Sequence, residues 1–397
     1  MSIDLDQCVK CTTCLSQCPV GAVNVLFDGP KRLGPDLARI KRTGSEDYPA
    51  SLKLCSNCKN CDLACPFGVG ISRMINLARG SYLENRSFRL RDFFLANVEL
   101  TGKLINTFPL NKMAGYFTGD GFPARIGQRL FGLSPTVAFF RGDGQGPASF
   151  RKARQRPGQK RVVYFPGCYA HFFEPRIGVA AVRILNHLGY RVELPDVHCC
   201  GLPQVTNGFL AAAREKAVEN LSLLGPLVEK GLDIVTTCPS CGLMLRKEYA
   251  ELFGLEEAGV VAAHVWDLFE FIGRDAGVDS GSLPAIHGRF AYHAPCHLRA
   301  TGTRSAALAL FSGLAGLEMV DLDGGCCGLS GSYGFKAENY ATATAVGRKL
   351  FDRVQEVRPD KVLTECGTCK IQIMAATGLT VEHPACVLAE LLVRGTV

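Results

Sequence analysis

No stretch of this 397-residue chain approaches the roughly 18 uninterrupted apolar residues that a membrane-spanning helix needs. The best candidates, around Ala306 to Leu317 and Ala258 to Val265, are short or broken by polar residues, so any membrane contact is expected to be peripheral. The start, from Met1 to Cys8, lacks the basic region and apolar run of a secretory leader. The 19 cysteines are therefore expected in the reducing cytoplasm, not in a disulfide framework. Neither a G-x-S-x-G elbow nor a Walker lysine is present, which leaves substrate chemistry to another chain. The glycines at Gly328, Gly331 and Gly334 do not keep the G-x-G-x-x-G spacing of a dinucleotide loop. Acids are scarce from Arg86 to Arg161, where only Asp92, Glu99, Asp120 and Asp143 oppose 14 lysines and arginines.

What the chain has instead is patterned cysteine. Cys8, Cys11, Cys14 and Cys18 precede Pro19, and Cys55, Cys58, Cys61 and Cys65 precede Pro66. Both runs read C-x2-C-x2-C-x3-C-P, the bacterial ferredoxin pattern, in which the fourth cysteine of each run serves the other [4Fe–4S] cluster. Cys8, Cys11, Cys14 and Cys65 would hold one cubane cluster, and Cys55, Cys58, Cys61 and Cys18 the second. A pair of zinc sites would use C-x2-C steps but would need neither the third step nor the proline.

After residue 160 the cysteines form two matching series. Cys168, the pair Cys199 and Cys200, and Cys238 with Cys241 correspond to Cys296, the pair Cys326 and Cys327, and Cys366 with Cys369, at offsets of 128, 127 and 128 residues. A near-constant offset argues for duplication of one domain. Short β-branched or aromatic runs end at Cys168, Cys238, Cys296 and Cys366, and helical patterns follow them, which predicts α/β units with largely parallel sheets. Ligands then gather beyond the carboxyl ends of the strands, where these cysteines fall. Adjacent cysteines on a strand would face opposite ways, so each pair needs a bend, for which Gly201 and Gly328 are suited. Five thiolates exceed what tetrahedral zinc takes and suit a group with several iron atoms. The competing reading of these ten residues is inert buried thiols, as expected for Cys386, which lies outside both series.

These residues carry a family resemblance. The second half resembles the cysteine-rich CCG domains of heterodisulfide reductase subunits, which implies non-cubane iron–sulfur clusters at the two sets of five cysteines. Taken whole, the chain resembles the C-subunit family of anaerobic glycerol-3-phosphate dehydrogenases, through Gly29 to Asp36, Cys199 to Phe209, Cys326 to Lys336 and Glu382 to Pro384. The resemblance implies an electron-transfer subunit without catalytic residues of its own, working in anaerobic respiration. It would take electrons from flavin-bearing dehydrogenase subunits and pass them toward menaquinone, peripheral on the inner face of the cell membrane. The same modules occur in glycolate and lactate oxidising complexes and in heterodisulfide reductase-like subunits; a metal-stabilised scaffold without turnover is a further alternative.

The expected architecture is α+β and α/β: a helical-type two-cluster ferredoxin module at 1–95, a basic connector at 96–159, and CCG domains at 160–280 and 281–397. The stretch from Arg86 to Arg161 holds ten of the 23 phenylalanines: Phe88, Phe93, Phe94, Phe108, Phe117, Phe122, Phe131, Phe139, Phe140 and Phe150. Rings among cations suit a lipid headgroup boundary, or else ordinary packing between domains. Nucleic acid is not expected as a partner, since no binding motif accompanies the charge. His198 and His297, beside the cysteine series, are candidates to donate to a cluster sulfur or to pack locally.

Overall fold

The computed structural model describes residues 5–44, 47–84, 89–107, 121–139, 148–153, 160–276, 278, 280–303 and 306–394. The ferredoxin-like part is helical. Short helices Thr13–Ser16 and Asn60–Leu63 sit inside the two cysteine runs, and the longer Ile71–Glu84 closes over them. Leu33, Leu52 and Ile75 are fully buried beneath the thiols and form the core of this part.

Each half of the remaining chain builds a four-stranded, wholly parallel sheet. The first contains β1 (Lys160–Phe165), β2 (Tyr190–Glu193), β3 (Ile234–Thr236) and β4 (Val265–Asp267) in the order β2-β1-β3-β4. The second repeats that topology with β5 (Gly288–Tyr292), β6 (Leu317–Asp321), β7 (Lys361–Leu363) and β8 (Val381–Glu382) in the order β6-β5-β7-β8. The residues Val162 to Phe165 are all buried, as a parallel strand covered by helices on both faces requires. The α/β expectation and the duplication both hold.

The two repeats are not separate globules. The helix Pro384–Arg394, which ends the second repeat, packs against Pro175–His187 of the first. Tyr164, Val235, Tyr292, Leu363 and Leu388 accordingly belong to one hydrophobic cluster. Cys386 lies in that cluster, and burial pushes its thiol up to about 12.

The described residues of the basic stretch from Arg86 to Arg161 contact both repeats. Arg91 makes two hydrogen bonds to Glu338, at 2.7 and 2.8 Å, and the Ser134 hydroxyl donates to the Gly334 carbonyl at 2.7 Å. Phe150 is fully buried against Tyr164, which removes it from any interfacial role. Phe93 is half-buried and Phe94 borders on exposed. Phe88, Phe108, Phe117 and Phe140 lie outside the described residues, as do the side chains of Phe122 and Phe139. Ile126, Leu130 and Phe131 are exposed on the helix Phe122–Phe131, beside Arg125 and Arg129. Among the described residues no helix is long and apolar enough to cross a membrane.

Candidate iron–sulfur centres

The ferredoxin-like thiols fall into two groups. Cys8, Cys11, Cys14 and Cys65 line one cavity, and Cys18, Cys55, Cys58 and Cys61 line another, each with about 330 Å3 of non-atom space. In both runs the backbone enters the left-handed region at the same two places, Lys10 and Thr12 in the first, Asn57 and Lys59 in the second. Left-handed non-glycine residues are costly and cluster at functional sites. Here they curl each run around its cavity. Peptide N–H groups reach sulfur as well, from Gly21 to Cys18 and from Asn57 to Cys55, both at 3.4 Å.

The CCG-type thiols gather beyond the carboxyl ends of the strands. Cys168 follows β1 and Cys238 follows β3, while Cys199 and Cys200 arrive on the irregular segment after β2. The thiols touch in a chain: Cys168 to Cys199, Cys199 to Cys200, Cys200 to Cys241 and Cys241 to Cys238. The second repeat matches it from Cys296 through Cys326, Cys327 and Cys369 to Cys366. Gly201 and Gly328 supply the bends at φ +87° and +86°. Gly167 is required by approach, since a Cβ there would lie 2.7 Å from the Cys241 sulfur.

The donor set suits a cationic group larger than one ion. Burial pushes the Cys18 thiol up to about 11 and raises Cys58 and Cys61 as well. Such thiols ionise only beside a strong positive charge, as metal ligands do. In each repeat one thiol of the adjacent pair, Cys199 or Cys326, is held well below its usual range by hydrogen bonds from its two sulfur neighbours. Among the described residues, no three His, Cys, Asp or Glu side chains close on a point that a single ion could fill.

Each of the four centres has another as its neighbour. The Cys18 thiol feels both Cys14 and Cys55, so the two ferredoxin-like groups are neighbours. Cys326 raises the Cys58 thiol, and Cys296 packs on the same cluster of buried residues. Cys366 in turn faces Cys238, with Tyr169 packed onto Gly367 between the repeats. Cys11 at one end is exposed.

Several positioning residues were not legible in the sequence. The Lys59 ammonium donates to the Glu248 carboxylate and the Ser72 hydroxyl, each at 2.8 Å, with side-chain exposures of 3% for Lys59 and 5% for Glu248. Burial opposes its charge, but Glu248 and Asp62 outweigh burial and hold the ammonium above its ordinary range. His297 contacts the Asn57 carbonyl through Nε2 at 3.0 Å and the Ser240 hydroxyl through Nδ1 at 2.9 Å. That imidazole ties three thiol-bearing loops together, and its partners are oxygens and not sulfur. His198 sits 3.6 Å from both Glu99 and Glu219, also away from sulfur. Glu99 accepts the Cys199 peptide N–H at 3.2 Å, and no motif marks it.

Comparison with known proteins places these centres in a family. A 4Fe-4S dicluster domain matches residues 4–69, and a cysteine-rich domain matches twice, at 162–246 and 290–374. The chain is 34% identical to the C-subunit of anaerobic glycerol-3-phosphate dehydrogenase from Escherichia coli K12, over 98% of each chain. It belongs to that C-subunit family. This member is also 26% identical to the B-subunit of fumarate reductase (CoM/CoB) from Methanothermobacter marburgensis, over 92% of its length and 67% of the relative. It is 31% identical to lactate utilization protein A of Geobacillus kaustophilus, over 54% of its length and 90% of the relative. Within the glycerol-3-phosphate dehydrogenase family, this chain is thus an iron–sulfur protein with a dicluster module and two cysteine-rich repeats.

Proposed function

We propose that this chain is the non-catalytic electron-transfer subunit of a quinone-linked glycerol-3-phosphate dehydrogenase complex. The run of four neighbouring thiol centres, exposed at Cys11, carries the reading. Likeness along nearly the whole chain to the Escherichia coli protein supports the choice of donor. Cys8, Cys11, Cys14 and Cys65 would hold one [4Fe–4S] cubane, and Cys18, Cys55, Cys58 and Cys61 the other. Cys168, Cys199, Cys200, Cys238 and Cys241, and Cys296, Cys326, Cys327, Cys366 and Cys369, would hold one further cluster each. When bound, these groups supply one-electron sites between a flavin-bearing partner and menaquinone.

The chain's own residues hold, shield and space those sites. Leu33, Leu52 and Ile75 keep water from the ferredoxin-like thiols, and the Lys59–Glu248 pair and His297 pin that module to both repeats. Val9 and Phe67 wall the Cys11 site while remaining half exposed, which suits a docking face for the flavin-bearing partner. Ile126, Leu130 and Phe131 beside Arg125 and Arg129 make the helix Phe122–Phe131 the candidate contact with the inner membrane surface.

The test is anaerobic electron paramagnetic resonance on the complex with its native partners, given glycerol-3-phosphate, glycolate, lactate or a disulfide in separate samples. Reduction by glycerol-3-phosphate alone supports the reading. Reduction only by lactate would favour the second reading, which rests on likeness to lactate utilization protein A.

A further inference from the structure

The two repeats differ in what covers their thiols. In the second, Cys326 and Cys296 are packed against the ferredoxin-like core, and Cys296 opens an α-helical turn, Cys296–Ala300. In the first, Cys168 leads into a π-helical turn, Tyr169–Phe173. Such widened turns recur at functional sites. Here the turn faces a cleft with about 660 Å3 of non-atom space, which Cys168, Cys199, His171 and Phe172 all border. The helix Val98–Thr107 forms the opposite wall through Glu99 and Lys103, and a second hollow of about 480 Å3 continues past Leu100.

We infer that this cleft is the site where the terminal electron acceptor binds, and that the acceptor is a flat, neutral, carbonyl-bearing ring compound of the quinone class. The inference rests on the electron-transfer reading above and adds the place and the residues. Position comes first. The cleft is bordered by Cys168 and Cys199, so a carrier seated there lies against the first repeat's thiol set.

Chemistry narrows the ligand. The cleft's charges are already matched, Lys103 by Glu99 at 2.7 Å and Arg151 by Asp196 at 2.8 Å, so no surplus cation calls for an anion. The His171 imidazole leans on the Phe172 ring, with centroids 4.2 Å apart and planes tilted by 34°, which offers an aromatic wall with a polar edge. Among the described residues no hydrogen bond reaches the His171 ring nitrogens, so the imidazole is available to donate to a carbonyl oxygen of the ligand. Half-exposed Leu100 borders the adjoining hollow and gives it an apolar side for a hydrocarbon tail. Reduction of the quinone takes two electrons, drawn ultimately from the flavin-bearing partner, and two protons from solvent at the open mouth. The two carbonyl oxygens become hydroxyls.

The experiment uses the full cluster-loaded chain and its complex under anaerobic conditions. The probes are 2-heptyl-4-hydroxyquinoline N-oxide, a fluorescent quinone analogue that is quenched on binding, and menadione as electron acceptor. Leu100→Trp fills the adjoining hollow from an exposed position that leaves the core untouched, and His171→Leu removes the donor. Both variants should weaken analogue binding at least tenfold and raise the KM for menadione, while iron content and the dithionite-reduced resonance spectrum match the parent. Parental binding and KM in both variants, with the parent reducing menadione, would overturn the site and leave the electron-transfer reading standing. If the parent complex is reduced by glycerol-3-phosphate yet passes no electrons to menadione, the quinone reading fails and the site fails with it.

Discussion

Replacing Glu248 by Gln leaves the Lys59 ammonium buried with only its Ser72 partner and the neighbouring Asp62 carboxylate. The parent pair lies at 2.8 Å with both side chains almost wholly enclosed. Exposed ion pairs contribute little, but removing one partner of a buried pair costs about 3–5 kcal/mol, because the remaining charge stays desolvated. At about 2–4 °C per kcal/mol for a large cooperative unit, Glu248→Gln should lower the unfolding midpoint by about 6–20 °C. The apolar double variant Lys59→Met with Glu248→Leu removes both charges and should recover most of the loss. The assay is differential scanning fluorimetry of the cluster-loaded protein, run anaerobically at one scan rate, since unfolding of such proteins is not a simple equilibrium. A midpoint for Glu248→Gln within about 2 °C of the parent would refute the claim that a desolvated charge pair pins the ferredoxin module to the first repeat. So would a double variant no more stable than the single one.

The two bend glycines should differ despite their matched positions. A Cβ at Gly328 would sit 1.9 Å from the Ala343 carbonyl oxygen, whereas one at Gly201 meets its nearest atom at 3.2 Å. Gly328→Ala should therefore abolish iron binding at the second repeat, and Gly201→Ala should cost only part of it, as checked by iron per chain and resonance intensity. His383 is buried with Nε2 on the Thr237 carbonyl and Nδ1 accepting the Ala385 N–H, and burial pushes its pKa down to about 4 from 6.5. A depressed folded-state pKa gives stability that is present above pH 6.5 and lost as pH falls through 4. Between pH 7 and pH 5 this amounts to about 2 kcal/mol, so His383→Gln should flatten the fall in unfolding midpoint over that interval. For the membrane contact, Leu130→Asp with Phe131→Asp should reduce sedimentation with anionic liposomes while leaving iron content unchanged; undiminished binding would remove this helix from the contact.

The amino-acid sequence alone determined the chemistry and the module plan. Ligand spacing is local: C-x2-C-x2-C-x3-C-P carries a cluster motif within twelve residues, and the near-constant offset between the later series exposes a duplicated α/β unit. The bends at Gly201 and Gly328 were legible for the same reason, since adjacent cysteines can meet only where the strand breaks. Tertiary structure decided everything that depends on pairs far apart in the chain. Lys59 meets Glu248 across 189 residues, and Asn57 meets His297 across 240. The fate of the phenylalanines was likewise hidden, because composition cannot tell Phe150 in the core from Phe131 at the surface. The neighbour relations of the four centres, and the cleft beside Cys168 and Cys199, follow from how the duplicated sheets share a core. Packing of distant surfaces is set by shape and burial over the whole molecule, and no local pattern in the chain records it.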